Sequence, residues 1–160
     1  MTEGRTRRLV PIVAALPLFL GACAHTPAPA PGKPRLVLDG AAVDTLLVDV
    51  VEDNARTGRR RVTIEYDRIG GRGYVTLTDL GREKHREKAI PPEGLERIVS
   101  IIDERHLMGA VSDSRGACAG GTGWDVVVRV NRRVHEFFWD SCSGESSGVL
   151  RGIFRASGDE

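Results

Sequence analysis

With 160 residues, 23 basic and 22 acidic side chains and a formal charge of +1, the chain is sized for one domain. It lacks the clustered basic excess of a general nucleic-acid or polyanion binder. An apolar share of 41% allows a modest core and 5% aromatic leaves few large anchors, so composition supports a fold class but no specific activity.

Residues 1–22 read as a signal peptide. Arg5, Arg7 and Arg8 outweigh Glu3 in the first eight residues, and Leu9 to Leu20 is an apolar stretch interrupted by Pro11 and Pro17. Twelve residues are too few for a comfortable membrane span. Its removal takes away three Arg and one Glu, moving the charge from +1 to −1. Leu20-Gly21-Ala22-Cys23 resembles the lipobox of bacterial lipoproteins. That resemblance implies cleavage between Ala22 and Cys23, acylation of Cys23, and a lipid bilayer as the first partner. Two or three acyl chains anchor firmly where one does not. Ala24 stands where inner-membrane retention in enterobacterial-type sorting would place Asp, so the expected location is the outer membrane, facing the periplasm. Residues 23–35, with Pro27, Pro29, Pro31 and Pro34, form an extended tether in which His25 is solvated.

The single domain is expected over residues 36–160. Val43, Leu46, Leu47, Val50 and Val51 fall on one face of a helix capped by Asp39 and ended near Gly58; the Val content makes a strand the alternative. Val62, Ile64 and Tyr66 alternate with polar residues in a strand from Arg61 to Asp67. Gly70, Gly71 and Gly73 mark a turn into a second strand, Tyr74 to Thr78, and a charged edge strand over 83–90 closes a meander. Pro91-Pro92-Glu93 opens a helix with Leu95, Ile98, Val99 and Ile102 on one face, running to about His106. Trp124 to Val130 and Arg133 to Trp139 form a hairpin around Asn131-Arg132, which sets Trp124 opposite Trp139. A short helix follows Ser146. The expected fold is α+β, about five antiparallel strands (meander plus hairpin) with two or three helices packed on one face.

The remaining cysteines, Cys118 and Cys142, flank the hairpin at its open end. In an oxidising compartment they are expected to pair, closing a loop worth about 3 kcal/mol in the chain-entropy model. A metal site with His106 or His135 lacks both CxxC and HxxxH spacing. Gly144-Glu145-Ser146-Ser147-Gly148 has the letters of a nucleophile elbow, but no histidine follows Ser146, and a Gly/Ser loop with a helix cap explains them. His135-Glu136 begins a zinc-protease motif that fails at Trp139, and Gly120, Gly121 and Gly123 lack the Lys-Ser/Thr ending of a phosphate loop. No catalytic residue, metal or cofactor is expected. His85 reads as part of a solvated charged edge. Arg59, Arg60, Arg61, Arg82, Lys84, Arg86 and Lys88 form either a basic face toward anionic lipid or peptidoglycan, or a mixed surface interleaved with Glu83 and Glu87. Trp124 and Trp139 read as sheet packing, or as a binding patch if both are exposed.

The segments "IEYDRIGG", "IPPEGLERIVSIID" and "WDVVVRVNRRVHEFFWD" together resemble the small emfourin-like proteins, whose founding member inhibits a thermolysin-type metalloprotease. The resemblance covers about half the chain and carries over no inhibitory residue. Two expectations follow. The first is a non-enzymatic, lipid-anchored envelope module that binds another envelope protein. The second is a protease inhibitor in which a loop such as 112–123 enters a cleft. No nucleic-acid partner is expected.

Overall fold

The computed structural model describes residues 36–115, 120–142 and 144–158, all within the unit Pro31–Glu160. A small hairpin comes first, β1 (Val37–Leu38) with β2 (Ala41–Ala42). Its turn is Asp39-Gly40, with φ of 50° and 75°. A two-residue hairpin turn needs left-handed backbone, which Gly adopts freely and Asp tolerates. Asp39 therefore turns a hairpin and caps no helix.

The next segment is a strand, β3 (Thr45–Asn54), where a helix was expected over Val43 to Val51. The reason is its position. β3 pairs along its length with β4 (Gly58–Asp67) on one side and β7 (Thr122–Val130) on the other. An interior strand carries apolar residues on both faces: Leu46, Val48 and Val50 are buried, while Leu47 and Val51 on the opposite face are half-buried. Leu46, Leu47, Val50 and Val51 thereby imitate helical spacing, and the β-branched side chains favour the strand.

The chain continues through β5 (Arg72–Asp79), β6 (Lys84–Ile90), α1 (Pro92–Glu104), a 3-10 turn at Leu107–Gly109, β7, β8 (Arg133–Asp140) and α2 (Gly144–Ser157). The main sheet has the order β6-β5-β4-β3-β7-β8, with every neighbouring pair antiparallel. The architecture is α+β. The five strands read from sequence are β4 to β8, and β1, β2 and β3 bring the described strands to eight in two sheets. The expected first helix is β3, which leaves two α-helices among the described residues.

Pro91 and Pro92 start α1, where a fixed φ is welcome and a missing N–H costs nothing. Leu95, Ile98, Val99 and Ile102 are buried against the sheet, as their spacing requires. Leu150, Ile153 and Phe154 of α2 join the same core with Val48, Val62, Ile64, Val75 and Val126. The helices run antiparallel: Arg105, after the end of α1, lies 3.3 Å from Glu145 at the start of α2, and Gly94 in the first turn of α1 abuts the Ala156 carbonyl.

That last contact generates a prediction. Alanine gains up to about 1 kcal/mol over glycine within a helix. At Gly94, however, a Cβ would collide with backbone at Ala156, which cannot swing aside. Gly94→Ala should lower stability by about 1–3 kcal/mol in urea denaturation. Gly109→Ala, with open space around it, should stay within about 0.5 kcal/mol of the parent. Equal stability of the two variants would show that the helices do not meet through Gly94.

Candidate functional site

The antiparallel register aligns Lys84, Asp79, Arg60, Glu52, Trp124 and Trp139 as one row across the sheet, on the face that the helices cover. Trp124 does sit opposite Trp139, as the hairpin turn predicts. The two do not form an exposed patch. Trp124 is 7% exposed and its indole N–H donates to Glu52 Oε2 at 3.1 Å. Trp139 is half-buried, its N–H donates to the Val111 carbonyl at 3.2 Å, and its ring lies 4.6 Å from that of Phe137. The binding-patch alternative is thus corrected: the row falls on the inward face, where indoles pack and each polar end finds an acceptor.

Glu52 is the residue that sequence reasoning missed. At 8% exposed it is a buried carboxylate, and its Oε2 accepts from both the Trp124 indole and the Arg60 guanidinium, the latter at 3.0 Å. Arg60 is tied on its other side to an aromatic ring, with its guanidinium carbon 5.8 Å from the centre of Phe154. Only the cross-strand register could have shown this, and that register was hidden while 43–51 read as a helix.

Beyond Arg60 the row reaches a corner of the sheet that opens as a groove of about 580 Å³, lined by Arg60, Leu77, Asp79, Arg82, Lys84 and Arg86 among others. Strand alternation sorts the charges of β6. Lys84, Arg86 and Lys88 share the helix-side face, while His85 and Glu87 point to the other. The interleaving with Glu83 and Glu87 seen along the sequence is therefore not an interleaving in space. Arg61, which also lines the groove, is paired with Asp49 at 3.2 Å on the opposite face of the sheet. Lys88 donates to the Gly158 carbonyl beyond the end of α2, a favourable place for a cation. Asp79 accepts the N–H groups of Gly81 and Arg82 in the β5–β6 turn, and its other oxygen lies 3.7 Å from Arg82 Nε. Among the described residues neither Lys84 nor Arg86 is in an ion pair.

The other candidates have structural roles. Ser146 is buried in the first turn of α2, and Ser147 donates to the Gly144 carbonyl, so the Gly-Ser letters build a helix start. His135 Nε2 lies 2.8 Å from the Ala110 carbonyl. His106 follows α1 with a left-handed φ of 50°. Gly120, Gly121 and Gly123 line a shallow cavity of about 350 Å³ with Asp53, Arg115 and Asp125; there Arg115 pairs with Asp125 and covers the Phe138 ring at 4.4 Å. At the far end of the sheet, Arg133 lies 2.9 Å from Asp39 and holds its carboxyl below the ordinary value. Cys142 follows β8, its N–H donating to Asp140 Oδ1. Cys118, Ala22 and Cys23 lie outside the described residues.

Removing the Glu52 carboxylate should strand the buried indole N–H and release Arg60. Glu52→Ala is expected to cost about 1–3 kcal/mol in urea denaturation, and Glu52→Gln less, since an amide oxygen still accepts from Trp124. An Ala variant within about 0.5 kcal/mol of the parent would remove Glu52 from this role.

No family model matches the chain, and no curated protein matches it.

Proposed function

We propose that this chain is a lipid-anchored protein of the bacterial cell envelope whose α+β domain is a non-enzymatic binding module. The observation that carries the reading is the N-terminal stretch: a basic start, a short apolar run, Leu20-Gly21-Ala22-Cys23 and a proline-rich tether in immediate succession. In this reading Ala22 and Cys23 are the cleavage point, Cys23 carries the acyl chains, and residues 23–35 hold the domain off the outer membrane on its periplasmic side. A Cys118–Cys142 bridge belongs to the same reading, because an exported domain folds where disulfides persist. Support for binding over catalysis comes from what the catalytic-looking letters do: Ser146 is buried and His135 meets a backbone carbonyl. The uncovered basic corner offers a surface for a partner.

A second reading, inhibition of a thermolysin-type metalloprotease, is favoured by one observation. The segment leading into the loop 112–123 is fastened to β8: Asp113 N–H donates to the Phe138 carbonyl, Phe138 N–H to Ser112 Oγ, and Asp140 N–H to Asp113 Oδ2. Just before it, Val111 stands 82% exposed. A loop with a fixed base loses less entropy on entering a cleft.

Two experiments separate these readings. Cys23→Ser should abolish incorporation of labelled palmitate and leave the precursor uncleaved, as read by intact mass; a normally processed product without acyl chains would overturn the anchor. In a peptidase assay with thermolysin, the binding-module reading expects full activity at high micromolar concentrations of the purified chain. Stoichiometric inhibition there would establish the second reading instead.

A further inference from the structure

The two edges of the main sheet differ. Edge strand β8 is already occupied by residues 110–113, through the backbone and side-chain hydrogen bonds described above. β6 is the other edge, and Lys84 to Ala89 are all exposed. Alternate residues of an edge strand direct their N–H and C=O groups outward, a template for one more strand. On the helix-side face this edge shows Lys84 and Arg86 two residues apart, beside the groove floored by Leu77.

We infer that β6 is a docking edge for an extended acidic segment of a partner protein, which adds a seventh strand and sets acidic side chains at alternate positions opposite Lys84 and Arg86. This names the partner class for the binding-module reading, on which it rests; it does not depend on the acyl chains. Four observations carry it. The edge is uncovered. Its helix-side face is cationic with the period of a strand. Neither Lys84 nor Arg86 has an ion-pair partner among the described residues. Arg60 and Arg82 line the same groove but are paired there with Glu52 and Asp79, so the unpaired positive charge sits at the edge, on Lys84 and Arg86. Side chains directly opposite on adjacent antiparallel strands have Cβ atoms about 4.5–5.5 Å apart, within reach of a carboxylate–guanidinium pair.

The same charges reject the commonest wrong partner. A second copy pairing antiparallel through β6, centred on Arg86, would set Arg86 against Arg86 and Lys84 against Lys88. Like charges directly opposite are destabilising, so self-pairing is opposed where acidic pairing is favoured.

The test uses the full chain, purified in nonionic detergent, and fluorescein-labelled eight-residue peptides read by fluorescence anisotropy at low ionic strength. The first peptide alternates glutamate with threonine. The second has the same composition with its glutamates in one block. The third is the alternating peptide N-methylated at every second residue, which removes ladder donors without changing charge. The alternating peptide should bind, the block peptide at least about fivefold more weakly, and the N-methylated peptide at least about tenfold more weakly. In the double variant Lys84→Glu/Arg86→Glu the alternating acidic peptide should be lost, and a lysine–threonine alternating peptide should bind in its place. Both positions are exposed, so the unfolding midpoint should hold and serves as the control on folding. Equal binding of all three acidic peptides would reduce the groove to an unspecific anion site and overturn the inference. So would absence of binding, or a double variant that fails to exchange its preference. Phosphatidylglycerol vesicles that bind the parent and not the double variant, with no acidic peptide binding, would reassign the groove to a lipid headgroup. That result would sink this inference and leave the binding-module reading standing.

Discussion

Everything in this domain is referred to strand β3. It is the strand that joins the meander β3–β6 to the hairpin β7–β8, and its partners on either side are fixed residue by residue. A one-residue slip along a strand moves every side chain to the opposite face. The register of β3 therefore decides at once that Val48 meets Ile64 and Val128 in the core, and that Glu52 meets Arg60 and Trp124 at its margin. The burial of Leu46, Val48 and Val50 makes any other register costly, at about 1.5–3 kcal/mol for each such side chain turned out to solvent.

That register also explains how a buried carboxylate is tolerated. Moving Glu52 out of water is unfavourable unless its oxygens are occupied, and one of them accepts from an indole N–H and a guanidinium together. Arg60 is half exposed, so its pairing with Glu52 is partly screened, and the arrangement is held as much by packing as by charge. The Phe154 ring fixes the guanidinium from α2. The row thus links helix, central strand and hairpin through polar groups at the place where the apolar core ends.

Legibility in the sequence follows the same physics. Strands with one wet face alternate cleanly, so β4 and β5 could be read from Val62, Ile64, Tyr66 and their neighbours, and the α1 face from Leu95, Ile98, Val99 and Ile102. The Trp124–Trp139 pairing was legible because the turn at Asn131-Arg132 sets the hairpin arithmetic. Its burial was not, since arithmetic does not say which face meets a helix. β3 was misread because a strand flanked on both sides and apolar on both faces loses its period of two. β1 and β2 are too short to show any period. The Glu52–Trp124 bond joins residues 72 positions apart and has no local signature at all. In β6 the opposite error arose: the run of Lys84, His85, Arg86, Glu87 and Lys88 looks mixed along the chain and is segregated once it is pleated.

The uncovered corner is a consequence of dimensions. Six strands spaced about 4.8 Å apart make a sheet some 24 Å across, and β3 with ten residues is about 33 Å long. Helices of 13 and 14 residues are about 20 Å long, so an antiparallel pair cannot screen the whole face. Leu95 packs against Gly73 near the Thr45 end of the sheet, and the Arg60–Lys84–Arg86 corner lies at the other end. The described chain enters at Leu36, whose carbonyl accepts from Val43 N–H just ahead of β3, on the side away from that corner.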